Sequence, residues 1–197
     1  MNEILVLYYS RYGATESLAR AICDCVDSVA GAASRLRTVP AVSTVAEATE
    51  DSIPDEGPAY VSADDLAECS GLVLGSPTRF GNMAAAMKYF LDSTGAEWMN
   101  GTLEGKPAGL FTSTSSLHGG QEATLLSMSV PLLHHGMLLV GVPYSVEALS
   151  STTSGGTPYG ASHVTWNRQP DALTADEETI ARALGARVAE VAIKLAG

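Results

Sequence analysis

The sequence predicts a doubly wound α/β fold for one domain, residues 1–197, in which helices cover both faces of a five-stranded parallel sheet. Short apolar runs alternate with segments of helical periodicity, an order typical of parallel strands joined by right-handed crossovers. Hydrophobic residues make up 46% of the chain and aromatic residues only 6%, so small aliphatic side chains must fill a layered core. Five strands in this arrangement fit the three-layer sandwich order 2-1-3-4-5, although other doubly wound orders share the pattern.

The predicted strands are apolar runs that are too short for helices. Continuous runs, rather than alternating ones, indicate strands that are covered on both faces of the sheet. The second run is the weakest of the set. The runs occupy residues 4–9, 34–39, 72–74, 108–111 and 137–142.

The predicted helices follow the strands. After Glu16, the residues Leu18, Ile22, Cys25 and Val29 recur at steps of four, three and four, which places them on one helical stripe. Ser62 suits the N-cap of a short helix, and Gly136 suits the residue after a helix end. The helices are expected at residues 16–29, 62–68, 83–91, 122–135 and 174–195, and loops at 40–61 and 144–171.

Charge and composition exclude several classes of function. The formal net charge of −11 disfavours nucleic acid and anionic membrane surfaces as partners, while a local cage of amides still permits a phosphate-bearing ligand. Three cysteines form no disulfide framework, and four histidines without paired-ligand spacing predict no metal site. No leader pattern is visible, and no apolar run reaches the roughly 20 residues that span a bilayer. We expect a cytoplasmic protein.

Three loops should meet beyond the carboxyl ends of the strands, beside the switch point between the first and third strands. The first, Ser10–Thr15, leads into a helix N-terminus, whose free amides and dipole can bind phosphate. It lacks the motifs of nucleoside triphosphate and dinucleotide sites, so a mononucleotide fits better. The alternative is a simple turn in which Thr15 caps the helix.

The other two loops offer groups for an aromatic ring. In the second, residues 77–81, Phe80 could cover such a ring while Thr78 or the amides bond its edge. The third, residues 112–120, is dense in hydroxyl groups and contains His118. No arrangement of a nucleophile and its base stands out, which points to chemistry carried by a cofactor.

Ordered motifs along nearly the whole chain resemble the WrbA-type NAD(P)H:quinone oxidoreductases. The resemblance implies a flavodoxin-like fold, FMN as cofactor, NADH or NADPH and a quinone as substrates, and a homotetramer. The motifs are Tyr-Ser-Arg-Tyr-Gly at 9–13, Pro-Thr-Arg-Phe-Gly-Asn-Met at 77–83, Phe-Leu-Asp at 90–92, Gly-Gly-Gln-Glu at 119–122, His-His-Gly-Met at 134–137 and Gly-Gly-Thr-Pro-Tyr-Gly-Ala at 155–161.

The resemblance also implies the role of particular residues. The phosphate and ribityl chain of FMN would be held by Ser10, Arg11, Tyr12, Gly13, Ala14 and Thr15. The isoalloxazine ring would be flanked by Pro77, Thr78, Arg79, Phe80 and Gly81. Its pyrimidine edge would meet Ser113, Thr114, Ser115, Ser116, Leu117, His118 and Gly119. Tyr12 would also contact the nicotinamide nucleotide, Trp98 the substrate and His135 the flavin.

Some residues depart from this pattern or fit it poorly. Arg11 replaces a more usual apolar residue, and its charge either assists phosphate binding or faces solvent. The segment 115–118 replaces a glycine-richer loop. His135 ends a helix that runs antiparallel to the strands, which places it near the wrong edge of the sheet for its own flavin. If His135 does contact a flavin, either this helix is bent or the contact crosses a subunit interface, and Trp98 is equally suited to a core or oligomer contact.

The predicted reaction is a two-electron reduction of quinones by ping-pong hydride transfer, in which nucleotide and quinone use one open flavin face in turn. No cluster of basic residues for a 2′-phosphate is visible along the chain, which favours NADH. A flavodoxin-like electron carrier that docks on partner enzymes is the alternative. A third reading keeps the enzyme but replaces the quinone with azo or nitro compounds.

Overall fold

A computed structural model describes residues 1–42, 57–165 and 172–197. Most of the loop predicted at 40–61, and the end of that predicted at 144–171, lie outside these residues. The elements in chain order are β1 (Asn2–Tyr8), α1 (Ala14–Ser28), β2 (Ala32–Thr38), α2 (Ala63–Glu68), β3 (Gly71–Pro77), α3 (Ala85–Ser93), α4 (Gly95–Met99), β4 (Pro107–Thr114), α5 (Gln121–His134), β5 (Leu138–Leu139), α6 (Ala148–Ser151), β6 (Ala161–Val164) and α7 (Ala175–Leu195).

The sheet has the strand order β2-β1-β3-β4-β5, and its strand pairs are parallel. The predicted order is therefore confirmed. Alternate residues of β1 face opposite layers, because successive side chains in a strand point to opposite faces. Ile4 and Val6 pack with α1 and α7, whereas Leu5 and Leu7 pack on the side of α3 and α5. Both faces are covered, as the continuous apolar run of β1 predicts.

The outer edge of β4 differs from the prediction. The expected fifth strand, residues 137–142, is reduced to Leu138–Leu139, which pair with the start of β4. A sixth strand, β6, pairs with Phe111–Thr114 at the other end of β4. It lies in the segment 144–171 that was expected to be a loop, so that expectation was wrong. Gly160, directly before β6, lies so close to Leu110 O that a Cβ atom would sit 2.1 Å away.

The helix ends follow their capping residues. Ser62 forms a capping box with Asp65 at the start of α2, and Thr174 forms one with Glu177 at the start of α7. Gly136 has φ +74° and ends α5. The short helices α4 and α6 were not predicted. Within the described residues, no helix is both long and apolar enough to cross a membrane.

Candidate active site

The carboxyl ends of β1, β3 and β4 border a crevice of about 460 Å³. The three predicted loops meet there, as the switch-point geometry requires. The residues that line the crevice are Ser10, Arg11, Tyr12, Ala14, Thr15, Pro77, Thr78, Arg79, Ser113, Thr114, Ser115 and Thr165. All of them except Thr165 belong to the predicted FMN site, which stays a prediction at the level of individual contacts.

The first wall is the N-terminus of α1, and its capping residue is Gly13 rather than Thr15. Gly13 has φ +87° and offers no side chain to the helix amides. Thr15 lies inside the helix, and its buried hydroxyl is 2.9 Å from Ser113 Oγ. The alternative of a turn capped by Thr15 is therefore wrong.

The amides of Ala14, Thr15 and Glu16 have no hydrogen-bond partner among the described residues. The first amides of a helix need an external acceptor when no side chain caps them. Ser10 Oγ accepts from Gly13 N at 3.1 Å, which folds the loop around this end of the helix. Unpaired amides at the positive end of the helix dipole suit a phosphate group.

The second wall is a tight hairpin turn at the end of β3. Arg79 and Asn82 exchange two backbone hydrogen bonds, at 2.7 and 3.1 Å, across Phe80 and Gly81. Phe80 has φ +54°, and in the described part of the chain every other residue with a positive φ is a glycine. Its side chain is fully exposed. A bulky side chain in this backbone region is strained. Phe80 and Gly81 do not line the crevice, although Arg79 beside them does, so the contact of Phe80 with the flavin ring stays a prediction.

Hydrogen bonds of Thr78 connect this hairpin to β4 and α5. Its amide donates to Ser113 O at 2.9 Å. Its Oγ1 lies 2.8 Å from Thr124 Oγ1 in α5 and accepts from Gly81 N at 3.3 Å. The second wall is thereby fixed relative to β4, which carries the third wall.

The third wall is formed by the end of β4 and by Thr165, which follows β6. Thr165 N donates to Thr114 O at 2.9 Å. Sequence reasoning missed Thr165 because it did not find β6, whose four residues, Ala-Ser-His-Val, form no apolar run. Ser116, Leu117, His118 and Gly119 continue the loop beyond the residues that line the crevice. Their predicted contacts with the flavin edge stay predictions.

Trp98 and His135 lie together at a different cavity, of about 580 Å³, between α3, α4 and α5. Trp98 Nε1 donates to His134 O at 2.9 Å, and His135 Nε2 is 3.0 Å from Thr94 Oγ1. Burial lowers the pKa of His135, which favours its neutral form at pH 7. The structure thus places neither residue in the crevice of its own chain.

A buried carboxylate that the sequence reading did not single out organises the loop behind the third wall. Glu177 accepts hydrogen bonds from Ser154 Oγ and from the amides of Gly155, Val164 and Thr174. His163 Nδ1 lies 2.9 Å from its Oε2. Burial alone would raise the pKa of Glu177, but these hydrogen bonds lower it to about 2. Glu177 therefore fixes the amide of Val164, next to Thr165 in the crevice.

Known proteins match this chain along its length. The family described as NADPH-dependent FMN reductase matches residues 5–149. The NAD(P)H dehydrogenase (quinone) of Chromohalobacter salexigens is 48% identical over 204 aligned residues, and the match covers 100% of both proteins.

Solved structures share the fold. The flavodoxin, WrbA-like protein of Agrobacterium tumefaciens has 23% identity and a TM-score of 0.69, with 98% of this chain and 99% of that chain covered. Oxidised flavodoxin 1 of Bacillus cereus has 14% identity and a TM-score of 0.62, with 96% and 98% covered.

The family match includes the first two loops of the crevice and the predicted third loop. The match to the Chromohalobacter protein also includes β6, Thr165 and Glu177, because it extends over the whole chain. The chain therefore belongs to the NADPH-dependent FMN reductase family and has the flavodoxin-like fold.

Proposed function

We propose that this protein is an FMN-dependent NAD(P)H:quinone oxidoreductase that reduces quinones to hydroquinones by two electrons. The observation that carries this proposal is the uncapped N-terminus of α1, which opens into a crevice at the switch point of the sheet. The names of the matched family and of the 48% identical relative support the choice of FMN, a nicotinamide nucleotide and a quinone.

The residues present fit FMN. The amides of Ala14–Glu16 and the hydroxyl of Ser10 would hold its phosphate, since they offer hydrogen-bond donors at the positive end of a helix. When bound, FMN supplies the two-electron redox chemistry, so the chain needs no nucleophile of its own. The hydroxyls and amides of Ser113–Ser115 would then orient the polar edge of the ring.

We infer that nucleotide and quinone enter the crevice in turn. Tyr12 is exposed and lines the crevice, and the strained hairpin holds the exposed Phe80 beside Arg79, which also lines it. Two aromatic side chains at one opening would guide planar rings onto one open face rather than hold two substrates at once. Parallel lines in initial-rate plots are expected, and intersecting lines would rule out the shared position.

The spectrum of the FMN-loaded protein tests the activity directly. Without oxygen, addition of NADH or NADPH should bleach the flavin absorption, and addition of a benzoquinone should restore it. An electron carrier that docks on partner enzymes should keep its oxidised spectrum after either nucleotide alone. Restoration by an azo or nitro compound but not by a quinone would change the acceptor and leave the enzyme class intact.

We further propose that the active form is a homotetramer in which Trp98 and His135 act at a neighbouring subunit's crevice. Their separation from the crevice of their own chain motivates this proposal. The outer face of α5 and the short strand β5 are apolar and about half exposed, which is typical of a surface that a partner covers. The residues concerned are Leu126, Val130, Leu133, Leu138 and Leu139.

A further inference from the structure

A second cavity, of about 500 Å³, adjoins the crevice where FMN would bind. Arg11 and Arg79 line both cavities. The floor of the second cavity is the start of α3, including Ala85 and Ala86. A molecule that extends from the crevice over these two arginines therefore reaches the second cavity.

The charged side chains at the two cavities are all basic. Arg11 and Arg79 are joined in the second cavity by Lys88, and no Asp or Glu is among the described residues that line either one. The whole chain, in contrast, has 22 acidic residues against 11 basic ones. A local positive field in a protein of net charge −11 attracts an anionic ligand to this place in particular.

The two arginines are available to such a ligand. Neither is paired with a carboxylate of the described chain: Arg79 Nη1 donates to Thr78 O at 2.7 Å, and the Arg11 guanidinium lies 5.4 Å from the centre of the Tyr12 ring. Lys88 pairs with Asp92 at 2.5 Å on the exposed side of α3. Two guanidinium groups within reach of one cavity suit a phosphate, which accepts paired hydrogen bonds from arginine.

The start of α3 adds to this field. Its N-cap residue, Ala84, provides no side-chain hydrogen bond to the helix amides, and the helix has nine residues. The cavity therefore combines three cationic side chains with the positive end of a helix dipole.

We propose that the second cavity binds the 2′-phosphate of NADPH and gives this enzyme a preference for NADPH over NADH. The inference rests on the proposed function, because it assigns the far end of a nucleotide whose nicotinamide would lie in the crevice. NADPH differs from NADH by this phosphate alone, so only a group that binds the phosphate can distinguish them. Arg11, Arg79 and Lys88 supply the charge that a dianionic phosphate needs.

Lys88→Gln tests the proposal without altering the lining of the crevice, since Lys88 lines the second cavity and the cavity of Trp98 and His135 but not the crevice. The wild type should have a higher kcat/KM for NADPH than for NADH. The variant should lose about five- to tenfold in kcat/KM for NADPH through KM, with NADH changed less than twofold. Lys194→Gln, an exposed lysine at the end of α7, is the matched control and should leave both values unchanged.

Asp92→Asn separates the phosphate contact from the helix ion pair. It removes the partner of Lys88 but keeps the lysine, so NADPH should be bound as well as before or better. A loss equal to that in Lys88→Gln would show that the ion pair matters rather than the phosphate, and would overturn the proposal.

Calorimetry on the FMN-loaded protein gives a second readout that needs no turnover. Adenosine 2′,5′-bisphosphate should bind more tightly than adenosine 5′-monophosphate, and Lys88→Gln should remove most of that difference. If neither NADH nor NADPH bleaches the flavin, but adenosine 2′,5′-bisphosphate still binds more tightly than adenosine 5′-monophosphate, the proposed function fails and the phosphate site stands. Equal kcat/KM for NADH and NADPH, or equal binding of the two adenosine compounds, overturns the inference while leaving the oxidoreductase in place.

Discussion

Gly13 and Phe80 each place an unusual backbone conformation at the crevice. Gly13 has φ +87° at the start of α1, and Phe80 has φ +54° at the tip of the hairpin. Glycine adopts a positive φ without strain, whereas the positive φ of Phe80 costs conformational energy, which is typical of functional positions. Gly13 has no side chain and Phe80 has an aromatic one. Substitutions at the two residues therefore test separately the binding of the phosphate and the covering of the flavin ring.

Gly13→Asp should abolish FMN binding with only moderate loss of stability. A Cβ atom at Gly13 meets nothing within 4 Å, so the new carboxylate fits sterically. It would repel the phosphate from the helix amides, and we expect FMN affinity to fall at least 100-fold, by fluorescence titration. Gly105→Asp is the matched control, because Gly105 has φ +75° and open space as well. Equal FMN affinity in the two variants would contradict the assignment of the phosphate to this loop.

Phe80→Asn should raise stability and lower activity together. Asparagine tolerates positive φ better than phenylalanine, so the free energy of unfolding in urea should rise by about 1 kcal/mol. Turnover of quinone should fall, since the aromatic wall is lost. Phe80→Ala removes the same ring but keeps the strain, so it should lose activity without gaining stability. If Phe80→Asn is no more stable than Phe80→Ala, the strain is not released by this substitution.

Among the elements, β6 and α7 depend on each other through Glu177. This carboxylate caps α7 at Thr174 and binds the amides of Gly155 and Val164, which lie before and within β6. Glu177 thereby ties the start of α7 to the strand that pairs with the outer half of β4. The same contacts hold Thr165 at the crevice wall.

The hydrogen bonds around Glu177 predict loss of stability in acid. Its pKa is lowered from 4.5 to about 2, so its contribution is complete above pH 4.5 and is lost as the pH falls toward 2. The full effect is roughly 3 kcal/mol. The free energy of unfolding of Glu177→Gln should be about 1–3 kcal/mol below that of the wild type at pH 7. This difference should become smaller as the pH falls.

Urea unfolding between pH 3 and 7 measures this difference. Glu178→Gln is the control, because the carboxylate of Glu178 pairs with Arg182 at the surface and should leave the pH profile unchanged. If the difference in unfolding free energy between Glu177→Gln and the wild type stays constant from pH 3 to pH 7, the loss of stability in acid is due to other groups.

For the whole molecule, the apolar face on α5 and β5 predicts self-association. Val130 lies at its centre on the exposed side of α5. Val130→Glu should reduce the assembly to smaller species in sedimentation and slow quinone turnover, while the isolated chain stays folded. Leu195→Glu changes an equally exposed apolar residue at the end of α7 and should keep the wild-type assembly. A wild type that sediments as a flavin-replete, active monomer would disprove the tetramer.

The amino-acid sequence by itself determined the succession of strands and helices and the positions of the crevice loops, and it favoured the observed strand order. Continuous apolar runs, helical stripes and helix-end residues such as Ser62 and Gly136 are local signals, and they mark elements without knowledge of distant contacts. Because parallel strands end at a common edge, the strand order then brought residues 10–15, 77–81 and 112–115 to one place. Nearly all residues that line the crevice were identified in this way.

Tertiary structure alone decided the features that depend on long-range contacts. β6 forms only because β4 and Glu177 supply partners for a short segment that follows three glycines, and Thr165 enters the crevice with it. The helix cap lies at Gly13, and the Thr15 hydroxyl contacts Ser113 of β4, a residue distant in sequence. Arg11 lies far in sequence from Arg79 and Lys88, so no basic cluster is visible along the chain, yet folding gathers the three residues around one cavity. The electrostatic field at a site depends on the distances between charges in space, and the amino-acid sequence does not give these distances.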